Sequence, residues 1–259
     1  LGYGSDLDLI FLHDSHGKKQ KTDGRKSLDN GVFFARLGQR IIHMLNTVTA
    51  GGVLYEVDMR LRPSGNSGLL VSSVKAFKDY QLKEAWTWEK QALVRARVVA
   101  GCPVVAKKFE QVRAEILTEA RDPQKLQEDV VSMRIKMRDN LGSKPDATGD
   151  RKTFQLKQDA GGMVDIEFIA QYFVLRYSTQ FPELLQWTDN MRILETVEQV
   201  GLLSKKDVAQ LSEAYLIYRQ AAHDASMQKV SSEVPADQFI EQRTAVSHIW
   251  QMLLGHKSQ

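Results

Sequence analysis

The stretch Gly4-Ser5-Asp6-Leu7-Asp8 sets two carboxylates two positions apart at the head of an apolar run, Leu9-Ile10-Phe11-Leu12. Side chains alternate along a strand, so Asp6 and Asp8 share a face, with Gly4 before them on that face. Two carboxylates so close on a half-buried face repel each other and resist desolvation, and a cation relieves both costs. Hard oxygen donors suit Mg²⁺, which takes one or two carboxylates together with phosphate oxygens and water. Gly4-Ser5 offers a small turn whose backbone N–H groups can approach a phosphate. A third aspartate, Asp58, falls on the polar face of a later strand pattern that also carries Arg60 and Arg62. Three carboxylates from two neighbouring strands describe a two-metal phosphoryl-transfer site. Guanidinium groups beside it can pair bidentately with phosphate oxygens. The plain alternative is an exposed edge strand kept soluble by its aspartates, with Arg60 and Arg62 on a solvated strand face.

The elements that must position these residues are legible in outline. Leu1 to Leu12 reads as a strand, and the polar stretch Asp14 to Asn30 as a loop charged by Lys18, Lys19, Lys21, Arg25 and Lys26. Phe33, Leu37, Ile41, Met44 and Leu45 recur at helical spacing, which predicts an amphipathic helix over Gly31 to Asn46. Gly51-Gly52 ends it. The run Val53 to Leu61 then alternates, with Val53, Tyr55, Val57, Met59 and Leu61 apolar and Glu56, Asp58, Arg60 and Arg62 polar. Pro63 should close this strand, and Ser64 to Gly68 should turn. A helix follows over Ser73 to Lys83, and the stretch from Ala85 to Gly101 fits helix or strand. Leu126, Val130, Met133 and Met137 line one face of a long helix. Further helices are predicted over Met163 to Tyr177, Asp189 to Val200, Lys205 to Gln228 and Ala236 to Leu254, and a loop over Gly142 to Lys152. The layout is α+β: a small mixed module over 1–118 followed by a helical bundle over 119–259.

Composition narrows the classes. With 35 basic against 32 acidic residues, the net charge of +3 gives no reason to expect nucleic acid as a partner. A single cysteine, Cys102, excludes an internal disulfide and suits a reducing cytoplasm. No apolar run approaches the roughly 20 residues of a membrane-spanning helix. The chain lacks an initiator Met, which reads as a fragment whose N-terminus lies upstream.

Other chemistry-bearing residues weigh toward structure. Trp86 and Trp88 could stack on a base, with Arg95 or Arg97 reaching phosphates, but the pattern favours buried tryptophans and internal ion pairs involving Glu89. Asp165 and Glu167 sit near a helix start, where the dipole favours acids; the functional alternative has them orient Lys157 or a strand arginine. His13, beside Asp14, reads as a solvated strand-end histidine. His43, His223 and His248 show no metal-ligand spacing, and Cys102 has no histidine signature around it.

Taken together, "LGYGSDLDLIFLHD", "YEVDMRLRPSGNSGLLV", "DYQLKEAWTWEKQALVRARVVAG", "GGMVDIEFIAQYFVLRY" and "WTDNMRILE" span nearly the whole chain. The G-S-x-D-x-D strand with its later aspartate resembles the polymerase-β-like nucleotidyltransferase superfamily. The full set resembles the glutamine synthetase adenylyltransferase/adenylyl-removing family, and within it the C-terminal, adenylylating copy of two related domains. That resemblance implies a nucleotidyltransferase palm, N-terminally truncated, followed by an α-helical bundle. It implies Asp6, Asp8 and Asp58 as catalytic metal ligands for Mg²⁺, in two ions, and Gly4 and Ser5 as the nucleotide-phosphate loop. It further implies ATP as the AMP donor, a glutamine synthetase tyrosine as acceptor, and the PII signalling protein as regulator. The rivals are phosphorolytic removal of AMP by the same carboxylates, and a non-catalytic fragment that binds glutamine synthetase or PII.

Overall fold

The structure, a computed structural model, describes residues 6–15, 20–52, 55–145 and 152–255. It is α+β, and the chain divides into two compact units: Leu1–Ala92 with Arg97–Ile116, and Leu93–Ala96 with Leu117–Gln259.

In the first unit the opening apolar run forms two short strands, β1 (Leu7–Asp8) and β2 (Phe11–His13), in place of one long one. β1 pairs in parallel with β3 (Val57–Asp58), and β2 pairs in parallel with β4 (Val71–Ser73). Parallel partners need a crossover, supplied between β1 and β3 by α1 (Asn30–Leu45). α1 starts where Asp29 Oδ1 accepts from the N–H groups of Gly31 and Val32, at 2.8 and 3.4 Å. It lies against the sheet through Gly38. A Cβ there would come within 2.9 Å of Val71 Cγ2, so only glycine allows this approach. α2 (Val74–Lys83) is capped by Ser73 Oγ on Ala76 N–H, and α3 (Thr87–Val94) and α4 (Pro103–Leu117) follow. The core of this unit sits beneath α2 and α4, where the Phe77 and Phe109 rings lie 6.1 Å apart. The stretch Ala85 to Gly101, open to two readings in sequence, is helical at its centre.

The second unit is built around α6 (Met163–Tyr177), whose residues from Val164 to Leu175 are buried except for Glu167. A helix apolar nearly all round has to be enclosed. Here α5 (Pro123–Leu141), α7 (Asn190–Gln199), α8 (Lys205–Met227) and α9 (Ile240–Leu254) do so. Full burial of a Leu, Ile or Phe side chain is worth roughly 1.5–3 kcal/mol, so α6 is the main apolar contributor. This half is not purely helical, contrary to its periodicity. β5 (Thr153–Gln155) and β6 (Glu233–Pro235) form an antiparallel pair, too short to register as alternation. On α5, Leu126 and Val130 are buried as expected, but the next buried position on that face is Arg134, with Met133 and Met137 half-buried. Among the described residues no helix is long and apolar enough to cross a membrane.

Candidate active site

The β1–β3 register places Asp8 directly opposite Asp58, and Leu7 opposite Val57. The pairing is closed by Leu7 N–H on Glu56 O at 2.7 Å and Leu9 N–H on Asp58 O at 2.9 Å. Opposed residues of adjacent strands project to one side of a sheet, and Asp6 follows Asp8 by alternation, so the three aspartates share a face. Asp6 and Asp58 line an open cleft of about 450 Å³ together with Glu56, Val57, Met59, Arg60 and Asn66. Gly4 and Ser5, the expected phosphate loop, lie outside the described residues.

The second strand is shorter than its alternating pattern predicts. It ends at Asp58, not at Pro63, because Asp58 Oδ1 accepts the Arg60 backbone N–H at 2.8 Å and folds the chain into a turn. A short side chain bonding the backbone two residues on competes with a sheet ladder and wins here. Arg60 consequently leaves the strand and closes back on the same carboxylate. Its Nε donates to Asp58 Oδ2 at 2.7 Å, and its Nη2 donates to that oxygen as well. The Arg60 hydrogen bond holds the Asp58 carboxyl below its ordinary range, with partial burial pulling the other way. The guanidinium is raised in turn by Asp58 first, then more weakly by the charges of Asp8 and Asp6, so one cation feels all three carboxylates.

Arg62 does something different from what its residue type suggests. Nη1 donates to Met59 O at 2.7 Å and Nη2 to Asn66 O at 3.3 Å, from inside the turn. Its Nε is buried with no hydrogen-bond partner among the described residues. Arg62 is therefore a staple of the turn after β3, and Arg60 alone of the two lines the cleft. Asn66 also faces the cleft, a placement that follows from the 3₁₀ turn Gly65–Ser67 and that residue type alone does not signal.

Among the described residues no group of three or more His, Cys, Asp or Glu side chains is gathered closely enough to hold a metal ion. By type and by face Asp6, Asp8 and Asp58 are the hard oxygen donors that Mg²⁺ requires. By rotamer Asp58 is turned to Arg60. The donor set fits, while its side chains are not drawn into a ligand cluster.

The remaining sequence expectations sort themselves here. Trp86 and Trp88 are not core: Trp86, just before α3, is 72% exposed, and Trp88 in its first turn is exposed as well. The charges near them do pair internally, Glu89 with Tyr80 and Arg95 with Glu167. His13 is half-buried, not solvated. Its ring stacks on Phe34 at 4.7 Å, its Nδ1 accepts from Ser15 N–H at 3.0 Å, and burial pushes its pKa down. Asp14 pairs with Lys108. Lys21, Arg25 and Lys26 are exposed, and Lys18 and Lys19 lie outside the described residues.

In the second unit Asp165 binds Arg134 Nε at 2.5 Å and the Gly161 N–H at 2.7 Å. Burial pushes the Asp165 carboxyl up, against the pull of Arg134 and of that N–H. Glu167 Oε1 accepts from Arg95, Asn190 and Tyr215 at 3.1, 3.3 and 3.0 Å. The partners of these two carboxylates are thus a buried helical arginine and a polar network. Lys157 and the strand arginines are not among the partners found.

The sequence matches known proteins. The family model for glutamate-ammonia ligase adenylyltransferase matches residues 1–112. The chain is 52% identical over 255 residues to the bifunctional glutamine synthetase adenylyltransferase/adenylyl-removing enzyme of Hahella chejuensis, covering 98% of this chain and 26% of the relative. The chain belongs to the glutamine synthetase adenylyltransferase/adenylyl-removing family. Other members of the family are covered to the same share of their own length. Those of Pseudomonas putida and Pseudomonas syringae pv. tomato are 54% and 55% identical, each over 257 residues, 96% of this chain and 26% of the relative. The chain thus spans about a quarter of the length of these relatives. The helical residues 131–244 match a second family model, that of the GlnD PII-uridylyltransferase.

Proposed function

We propose that the chain transfers AMP from ATP to a tyrosine of glutamine synthetase, releasing pyrophosphate. The observation that carries this reading is the Asp8–Asp58 register, which sets three carboxylates on one face beside an exposed arginine in a chain of this family. The tyrosyl hydroxyl attacks the α-phosphorus of ATP. A new P–O bond forms, the bond to the β-phosphate breaks, and the hydroxyl proton passes to Asp58, our candidate acceptor by position. Arg60 leaves Asp58 to neutralise phosphate charge, and Asn66 borders the same space. Mg²⁺, as two ions held by Asp6, Asp8 and Asp58, would supply charge neutralisation and a more acidic hydroxyl. Positioning and electrostatics carry most of the rate in such transfers.

We read residues 1–118 as the catalytic domain and 119–259 as a helical domain, acting in the cytoplasm. The match of the helical residues to a PII-uridylyltransferase model supports the PII protein as a regulatory partner. The relatives' names include adenylyl removal, which keeps phosphorolysis as the second reading: phosphate would attack the same phosphorus and ADP would leave.

The deciding experiment mixes the chain with glutamine synthetase, Mg²⁺ and ATP labelled at the α-phosphate. Label should appear on the synthetase. Asp58→Asn should lower its rate at least about 100-fold, the scale of losing one group that stabilises the transition state. Absence of label, with ADP released from adenylylated synthetase and phosphate, would replace transfer by removal.

A further inference from the structure

Helix α1 carries more apolar surface than the first unit covers. Phe34, Gly38 and Ile42, spaced by four residues, form its inward side: Gly38 is buried beside Val71 and Phe11, and Phe34 and Ile42 are half-buried. Phe33, Leu37 and Met44 lie next to that side, spaced by four and seven residues, so they form a row of their own. They are 41%, 42% and 75% exposed. Apolar side chains scattered singly on a surface need no explanation, but a contiguous row marks a place where something binds. From Phe33 to Met44 the row runs for about 16 Å.

At its head the row opens into a hollow. Phe33 also lines an open cleft of about 500 Å³, together with Phe34, Leu28, Thr22, Lys26 and Asn30. The walls of this cleft are already in place. The Phe33 and Phe34 rings meet edge to face at 5.3 Å, and the His13 ring stacks on Phe34. The loop that closes the cleft is tied by Thr22 N–H on Leu28 O at 2.8 Å and by Leu28 N–H on Thr22 Oγ1 at 3.0 Å. Asn30 Nδ2 donates to Ser15 Oγ at 2.9 Å. A preformed hollow at the end of an exposed apolar row is the setting in which interfaces seat an anchoring side chain, at little ordering cost.

The charge along the row is one-sided. α1 contains no acidic residue, and Arg36, Arg40 and His43 are exposed alongside it. Among the described residues neither arginine has a hydrogen-bond or ion-pair partner. From Gln20 to Val48 there are five basic residues against two acidic ones. Of the two, Asp29 is engaged in capping α1, and Asp23 lines the hollow with Lys26. A face buried for good is apolar across its width, whereas one bordered by unpaired arginines suits a partner that arrives and leaves, steered by opposite charge.

We propose that this side of α1, from the Phe33 hollow to Met44, is the docking surface for an acidic, apolar face of the protein that accepts AMP. The aspartate-lined cleft, about 450 Å³, has room for little more than a small ligand, so a protein acceptor has to be gripped outside it. Naming the acceptor as the partner rests on the function proposed above.

Glutamine synthetase is the probe, with its binding to the whole chain and AMP transfer measured separately. Leu37→Ser with Met44→Ser, both at exposed positions, should leave the unfolding midpoint unchanged and weaken synthetase binding by at least about tenfold. Arg36→Glu with Arg40→Glu should weaken it by about as much and remove most of its dependence on salt. In both pairs KM for the synthetase should rise, while Mg²⁺-ATP affinity, read by calorimetry, stays at the wild-type value. Synthetase binding that is unchanged in either pair, or absent from the wild-type chain, would overturn the docking surface. Self-association of the wild-type chain that Leu37→Ser with Met44→Ser abolishes would overturn it too, by assigning the row to a second copy. A wild-type chain that binds the synthetase through this row yet transfers no AMP would uphold the docking and count against the proposed function. Transfer with binding indifferent to the row would do the reverse.

Discussion

Each compact unit contains an arginine–aspartate pair, and the two could hardly be more differently placed. In Arg60–Asp58 the side chains are 72% and 13% exposed; in Arg134–Asp165 they are 2% and 6% exposed. The first pair opens on a cleft, and water competes for it, so it adds little to stability and is free to exchange partners. The second is sealed among helices, and Arg134 is further tied to the Gln158 and Asp159 carbonyls at 2.8 and 3.3 Å. There a lost partner leaves a buried charge. One chemical pairing thus serves as a movable contact in one unit and a fixed one in the other, and burial alone makes the difference.

The largest effect should come from breaking the fixed pair. Arg134→Met should destabilise the chain by about 3–5 kcal/mol in urea unfolding, because Asp165 keeps only the Gly161 N–H. Adding Asp165→Leu should recover most of that loss, since an apolar pair of similar size is often as stable. A double variant as unstable as the single one would show that shape, not charge, holds the junction.

The polar network beside that pair gives a smaller, pH-dependent effect. Burial and then the Glu167 charge push the Tyr215 hydroxyl up to about 12. Its folded-state pKa exceeds the ordinary value near 10, so its contribution is fully present below about pH 10 and is lost as pH rises toward about 12. A two-unit shift corresponds to about 2.7 kcal/mol at most. Unfolding curves from pH 8 to pH 11 should show stability falling above pH 10. Tyr215→Phe should flatten the fall without abolishing it, because burial also raises Tyr218.

The smallest change in stability should come from the exposed pair. Arg60→Gln should leave the unfolding midpoint where it is and weaken Mg²⁺-ATP binding. A midpoint that moves with ATP affinity would make Arg60 a structural residue like Arg62, and the contrast between the two pairs would collapse.

Legibility in the sequence followed the range of the interaction concerned. α1, α6, α7 and α8 lie within a residue or two of the bounds their apolar spacing predicts, because that spacing is local. α9 starts at Ile240, four residues inside the expected Ala236, since the preceding residues are drawn into β6 and its turn. α4 is not among the helices that the sequence reading predicts. At the cleft, Asp6, Asp8, Asp58 and Arg60 were all legible as candidates by type. Arg62 was a candidate by type as well, and in sequence a guanidinium looks the same whether it meets phosphate or two carbonyls. Asn66 gave no signal, since its place in the cleft depends on the turn that carries it.

The sequence by itself determined the helices, through apolar periodicity, and the common face of Asp6 and Asp8, through strand alternation. It also determined the family, through motifs spread over most of the chain. Only the tertiary structure decided that Asp58 sits beside Asp8, that the second strand stops at Asp58, that Trp86 faces solvent, and that Arg134 lies buried against Asp165. All but the strand end, which a local contact between Asp58 and Arg60 sets, depend on residues brought together from distant points of the chain. Local pattern carries the cost of a conformation, while pairing register and burial are settled only when the whole unit packs.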